Sequence, residues 1–474
     1  MNTNVKNKDD VRNIKNRLFM IDLFCGAGGV SEGAIQSGFY PIFSLDISKD
    51  VEKTYTNRHT QLGYIQNENT FFLREDIRNI SGKQIFDTIN NLKEIKKYGL
   101  KFGKEKNEKE IDLVFGGPSC QGFSMLGKRN KEDPRNKLFG EYVRVISEIQ
   151  PKYVVMENVS GFLTFEFNDF KSIDGTIYTK ENSNSLRAED ILIQEFTKIG
   201  YEIGYRLLLN ASDFGVPQDR NRYIFIAYRK NQKKPINPIE FSTRQKAINN
   251  STYDNLVIYK TTVKDAIEDI QEEFYKEENK TLSKYAKETR KGRTPKLYDN
   301  IPIEQTIPLN HEKPNHSKII RERYSLYNIG ESTSQLKHRI LKSGINIENK
   351  ETLKKMFTKE EIEKLKENPI DKENIDLVYK LITRKNVRKK LALEDISPTI
   401  TTNSDDFISP YENRALSVRE MARLQSFDDS FEFLGKRTTG GKLRQVEVPQ
   451  YSQVGNAVPP LLAKAICDAI KSVL

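Results

Sequence analysis

Between residues 18 and 229, short apolar runs alternate with amphipathic stretches. RLFMIDLF, YPIFSLD, IDLVF and PKYVVMEN are short and almost continuously apolar, the pattern of strands buried on both faces of a parallel sheet. Between them, AIQSGF, KLFGEYVRVISEI and EDILIQEFTKIG carry apolar residues at helical spacing. Leu138, Tyr142, Val145 and Ile149 form one face in the second of these, and Ile191, Leu192, Phe196 and Ile199 one face in the third. Alternation of this kind predicts an α/β fold with a doubly wound, Rossmann-like parallel sheet. The stretch YRLLLNASDFGVPQDRNRYIFIAYR then places two strand-like runs around a turn, which predicts an antiparallel hairpin at the end of the sheet.

From about residue 271 to 395 the pattern changes. Charge is dense and apolar residues are sparse, as in QEEFYKEENK and TLKKMFTKEEIEKLKEN, and no repeat is present. This reads as solvated helices and loops, with the helical run 351–366 as surface elaboration. Order returns at SPTITT and RALSVREMARLQSF, and an apolar helix, PPLLAKAICDAIKSV, follows. The expected division is a polar tail (1–17), a catalytic and cofactor-binding domain (18–270), an inserted smaller domain (271–450) and a C-terminal segment returning to the first domain (451–474).

Composition narrows the picture. A chain of 474 residues suits two or three domains. Lys and Arg outnumber Asp and Glu by 77 to 66, a net charge of +11 that suits a polyanionic partner. The three cysteines, Cys25, Cys120 and Cys467, are too dispersed for a zinc motif, and their rarity fits a reducing compartment. No signal peptide or membrane-length apolar run is visible, so a soluble cytoplasmic protein is expected.

Candidate chemistry collects at the predicted strand ends. The first strand runs into DLFCGAGGVSEG, whose glycines 26, 28, 29 and 33 permit a sharp turn and close approach of a ligand to a helix N-terminus. Asp46 follows 20 residues after Gly26, where a carboxylate can accept from both hydroxyls of a ribose. Asp76, in LREDI, falls at a third strand end, within reach of an adenine amino group. Together these acids favour an adenosine-containing cofactor. GGPSCQGFS puts Cys120 in a Gly/Pro loop after the fourth strand, as a nucleophile, a ligand or a small buried residue. Glu157, in MENV, ends the fifth strand as an acid or a hydrogen-bond anchor for a heterocycle. In QDRNR, the alternation of Arg220 and Arg222 predicts two guanidinium groups on one face of the hairpin.

In this order, DLFCGAGGVSEG, GGPSCQGFS, MENV, QDRNR, REMARLQSF and QVGNAVPP resemble the motif set of the DNA cytosine-5 methyltransferases of bacterial restriction–modification systems. The charged insert falls where that family carries its variable target-recognition domain. Two departures stand out: Pro-Ser-Cys-Gln replaces the more usual Pro-Pro-Cys-Gln, and Asp46 replaces a common Glu.

The resemblance implies a chemistry. Cys120 adds to carbon 6 of cytosine so that carbon 5 can attack a methyl sulfonium. Glu157 bonds ring nitrogen 3 and the exocyclic amine, and Arg222 with Arg220 neutralises charge at the base carbonyl. S-adenosylmethionine is the implied cofactor, with no metal. Phe24, Gly26, Gly28, Asp46, Ile47, Asp76, Ile77, Pro118, Leu138, Asn456 and Val458 are the positions implied to hold it. The implied partner is double-stranded DNA with the cytosine flipped out. A cognate restriction endonuclease and a monomeric state are also expected. Two rivals are a tRNA-methylating relative and an inactive DNA-binding scaffold. The loop Ser119-Cys120-Gln121-Gly122-Phe123 lacks the Pro-Phe that follows the nucleophile in the tRNA branch, and the full set of catalytic residues argues against the scaffold.

Overall fold

The apolar runs pair into one seven-stranded sheet. The computed structural model describes residues 14–118, 138–183, 185–243, 260–276, 280–439, 441, 443 and 446–474. The strands are β1 (Leu18–Leu23), β2 (Phe39–Asp46), β3 (Phe71–Arg74), β4 (Leu113–Gly116), β5 (Tyr153–Val159), β6 (Tyr201–Asn210) and β7 (Asn221–Arg229), ordered β3-β2-β1-β4-β5-β7-β6. The first five run parallel. β7 is antiparallel to both β5 and β6, so the hairpin enters through its second arm and leaves its first at the edge. Strand order reverses between β1 and β4, which opens a crevice at the C-terminal ends of those two strands.

Helices cover both faces. On one, α3 (Leu138–Ile149) and α4 (Ala188–Lys198) bury Tyr142, Val145, Ile149, Ile191, Leu192 and Phe196, the expected apolar faces except that Leu138 and Ile199 are only partly buried. On the other, α1 (Gly29–Ser37) lies beside the C-terminal helix α9 (Pro460–Lys471). Gly29 and Gly33 make this contact possible. A Cβ on Gly33 would lie 2.4 Å from Pro460 O and 2.5 Å from Lys464 N, and one on Gly29 only 2.1 Å from Val458 O. These two glycines therefore serve helix packing, where the sequence suggested ligand approach for all four. Cys467 packs inside this layer, while Cys25 packs against Val51, Tyr55 and Phe72; neither is in a disulfide.

The insert is better built than its composition suggests. Helices α5 (Thr333–Ser343), α6 (Lys359–Lys366) and α7 (Ile375–Ile382) surround a core that includes Tyr324, Leu336, Ile340, Leu353, Val378 and Leu381. The run 351–366 belongs to that core, which corrects the surface reading. Thr358 and Glu361 form a capping box that starts α6, and the i, i+3 pair Ile362 and Leu365 faces inward. Few apolar residues suffice because they recur at helical spacing.

A further core ignores the expected boundaries at 270/271 and 450/451. Val263, Ile267 and Ile270 pack with Met421, Leu424, Phe427 and Phe431, and these with Tyr451 and Val454. Its central element is α8 (Val418–Leu424), from REMARLQSF, in which Arg419, Glu420 and Arg423 are fully buried. Each has partners: Arg423 meets Asp269 and Asp429, Glu420 meets Arg414, and Arg419 donates to the carbonyls of Leu309, Asp428 and Phe431. No helix among the described residues is long and apolar enough to cross a membrane.

Leu365 tests the insert core. Leu365→Ala should destabilise the protein by about 2–5 kcal/mol, as cavity-forming substitutions do. Equilibrium denaturation measures this, and an unshifted transition would show that α6 does decorate the surface.

Candidate active site

The glycine loop between β1 and α1 has an unusual backbone. Phe24, Gly26 and Gly28 all have positive φ, at 58°, 51° and 102°. For Phe24 this is a strained conformation, of the sort retained at functional crevices. Cys25 N donates to Leu45 O at 3.1 Å, and Gly28 N to Cys25 O at 3.0 Å, so the loop is tied to β2 and to itself. Nothing lies within 4 Å of where a Cβ on Gly26 would be, so the loop opens onto free space there. At Gly28 the same Cβ would come 3.1 Å from the Tyr55 ring.

Asp46 ends β2 beside this opening. Its carboxylate accepts from Gly26 N at 3.0 Å and Ser48 N at 2.9 Å, which fixes its direction. Burial pushes its pKa up, and those two N–H groups oppose the shift. The next residue, Ile47, is 66 % exposed, an apolar side chain presented at the mouth of the crevice. The third acid, Asp76, is engaged already. It caps the turn Ile77–Asn79 through Arg78 N at 3.0 Å and pairs with the Arg78 guanidinium at 2.5 Å, which holds it below the usual carboxylate range. Ile77 is buried, and Arg144 on α3 bonds its carbonyl at 2.9 Å. Leu138, the first residue of α3, and Phe24 border the same apolar layer.

Under the loop lies a network that the sequence reading missed. Ser31 Oγ donates to Asp22 Oδ2 at 2.7 Å, and Tyr55 Oη lies 2.7 Å from Ser31 Oγ and 2.5 Å from Ser44 Oγ. Burial, with the Asp46 charge nearby, pushes Asp22 up to about 7. The signal was present in DLFCGAGGVSEG, where Asp22 and Ser31 flank the glycines.

On the other side of the switch point, Glu157 and Arg222 meet. Arg222 Nε lies 2.8 Å from Glu157 Oε1, both side chains being only slightly exposed. Val159 pairs with Arg222 in the β5–β7 ladder, which puts Glu157 and Arg222 on one face as diagonal neighbours. A Cβ on Gly117 would lie 3.2 Å from Glu157 Oε2, so the chain leaving β4 passes close to that carboxylate. Asn158 Nδ2 holds Pro118 O at 3.2 Å. Cys120 lies outside the described residues, two positions beyond Pro118.

Arg220 departs from expectation. It precedes β7, so strand alternation does not govern it, and it is buried, with its guanidinium turned to backbone carbonyls: Ile400 O at 3.0 Å, Gly455 O at 3.0 Å and Ala457 O at 3.1 Å. The two arginines of QDRNR therefore have different surroundings. In QVGNAVPP, Val458 is buried, its carbonyl over Gly29, while Asn456 is exposed.

Among the described residues, no group of His, Cys, Asp and Glu is placed to hold a metal ion. Gly26 faces open space, with Asp46 directed beside it and Ile47 exposed, and these features fit the sugar and base of an adenosine.

Comparison with known proteins agrees. The family described as C-5 cytosine-specific DNA methylase matches residues 18–472. The type II methyltransferase M1.HphI of Haemophilus parahaemolyticus is 31 % identical over 458 residues, covering 96 % of this chain and 86 % of that protein. M.DdeI of Desulfomicrobium norvegicum, another type II methyltransferase, is 28 % identical over 452 residues, covering 95 % and 88 %. In fold, the chain resembles a solved E. coli structure described provisionally as a prophage-encoded DNA modification methyltransferase (TM-score 0.57, 22 % identity, 96 % and 99 % coverage). A match running nearly end to end, over a sheet whose switch point carries both an open glycine loop beside Asp46 and an acid–arginine pair, places the chain in the C-5 cytosine-specific DNA methylase family, as a DNA cytosine-5 methyltransferase that uses S-adenosylmethionine.

Proposed function

We propose that the protein methylates carbon 5 of a flipped-out cytosine within a specific double-stranded DNA sequence, with Cys120 as nucleophile. The Arg222–Glu157 contact at 2.8 Å carries this reading. The acid lies beside Gly117, three residues before Cys120 in sequence, and the arginine gives it a fixed orientation. Glu157 bonds ring nitrogen 3 and the exocyclic amine of the base, while Arg222 neutralises charge at its carbonyl oxygen. The Cys120 sulfur bonds to carbon 6, which makes carbon 5 nucleophilic; loss of the carbon-5 proton to a base later expels the thiolate and restores the ring double bond. Arg220 has a supporting role, through the carbonyls it holds.

S-adenosylmethionine, when bound, supplies an electrophilic methyl group. Gly26 and Gly28 let it approach the backbone, Asp46 accepts from its ribose hydroxyls, and Ile47, Ile77, Leu138 and Phe24 border its adenine. Asp76 uses the acceptor capacity that Arg78 leaves. Pro118, Asn456 and Val458 close the methyl-bearing end.

Positive charge tracks the DNA phosphates, whereas sequence choice rests on polar side chains of the insert, within 271–450. The naming of both relatives as type II methyltransferases supports a bacterial, cytoplasmic setting and pairing with a restriction endonuclease. The protein acts as a monomer, since one chain carries every residue invoked.

Two measurements check these roles. Cys120→Ser should abolish methyl transfer while DNA and cofactor still bind, and DNA containing 5-fluorocytosine should trap the wild type covalently, because no proton can leave carbon 5. Full activity in Cys120→Ser, or no adduct with wild type, would refute the nucleophile. Asp46→Ala should weaken S-adenosylmethionine binding by about 1.5–3 kcal/mol, the worth of a charge-assisted contact. Calorimetry showing unchanged affinity would remove Asp46 from the pocket.

A further inference from the structure

Three buried side chains tie together four separated stretches of the chain. Gln218, Arg220 and Gln425 are at most 2 % exposed. Gln218 Nε2 donates to Leu424 O at 3.0 Å and Gln425 Oε1 at 2.9 Å, while Gln218 Oε1 accepts from Ile400 N at 2.8 Å. Gln425 Nε2 donates to Val454 O at 2.9 Å. Arg220 adds its bonds to Ile400, Gly455 and Ala457. QDRNR, SPTITT, REMARLQSF and QVGNAVPP thus meet at one knot. Gly455 belongs to it as well, since a Cβ there would lie 2.3 Å from Thr401 O.

The position of the knot matters more than its strength. Arg220 stands two residues before Arg222, which reaches Glu157. The carbonyls of Gly455 and Ala457 that it grips flank Asn456 and precede Val458, whose own carbonyl rests on the glycine helix. We propose that Gln218, Arg220 and Gln425 are positioning residues that fix the spacing between the cytosine side of the site, at Arg222 and Glu157, and the cofactor side, at Asn456 and Val458. The inference rests on the functional reading above and adds residues that touch neither substrate. Methyl transfer requires the two reactants to stand in near-attack geometry, where a misplacement of about 1 Å can cost on the order of a hundredfold. A guanidinium planar enough to bond several carbonyls at once suits that task, and a lysine does not.

Arg220→Lys keeps the charge but cannot span the carbonyls. It should weaken S-adenosylmethionine binding to the DNA-free protein by about tenfold, as expected when buried acceptors lose their donor. Adduct formation on 5-fluorocytosine DNA at saturating cofactor should slow to a similar degree. Gln425→Met, which keeps volume but deletes the bond to Val454 O, provides a second test should the first variant fold poorly; it should move both readouts in the same direction. Measurements are made well below the thermal midpoint of each variant. If the midpoint falls while cofactor affinity and adduct rate per folded molecule stay at wild-type values, the knot is only structural and the proposal is overturned. If wild type itself forms no adduct, the functional reading fails instead, and the cofactor-affinity comparison still decides whether the knot sets the cofactor side.

Discussion

Because Gly29 and Gly33 carry no side chain, the C-terminal helix lies on the first helix with backbone almost against backbone, and much of the site follows from that contact. It anchors α9 at the glycine loop, and with it the segment 453–458 that precedes α9. Replacing either glycine by alanine would force a Cβ to within 2.5 Å of backbone atoms, which cannot move aside as a side-chain tip can. The chain therefore has to leave the sheet at β7, build the insert and come back. The return path is what brings SPTITT and REMARLQSF against QDRNR.

Buried polar groups, as well as the apolar cores, tie the return in place. Arg58 pairs with Glu32 at 2.8 Å between α1 and α2 (Lys49–Gln61), and also bonds Ser430; Thr294 Oγ1 donates to the same glutamate at 2.6 Å. Arg293 reaches Asp428 and Arg290 reaches Asp269. Charges taken from water gain little net stability, yet removing one partner is costly, on the order of 3–5 kcal/mol. Such pairs punish wrong arrangements more than they reward the right one. They suit an interface that must bring residues from distant parts of the chain together in one arrangement.

These physical reasons also decide what could be read from the sequence. The strands were legible because parallel strands buried on both faces read as continuous apolar runs, and Asp46 and Glu157 because each stands at the end of one. The separate fates of Arg220 and Arg222 were not, since period-two reasoning assumes a strand that begins only at Asn221. The partners of REMARLQSF were not legible, since its buried arginines find them up to about 150 residues away, as Arg423 does in Asp269. Gly29 and Gly33 looked like ligand glycines because nothing local to them shows that a helix more than 400 residues later needs the space. In the insert, the inward pair Ile362 and Leu365 was outweighed to the eye by the lysines and glutamates around it.

The central claim is that the protein transfers a methyl group from S-adenosylmethionine to carbon 5 of cytosine in DNA. Incubating the purified protein with duplex DNA and cofactor labelled in its methyl group, then digesting the DNA to nucleosides, tests it most directly. The account predicts label in 5-methyl-2′-deoxycytidine alone, with none transferred to tRNA under the same conditions. Label in a methylated adenine, on the exocyclic nitrogen of cytosine, or in RNA would contradict it.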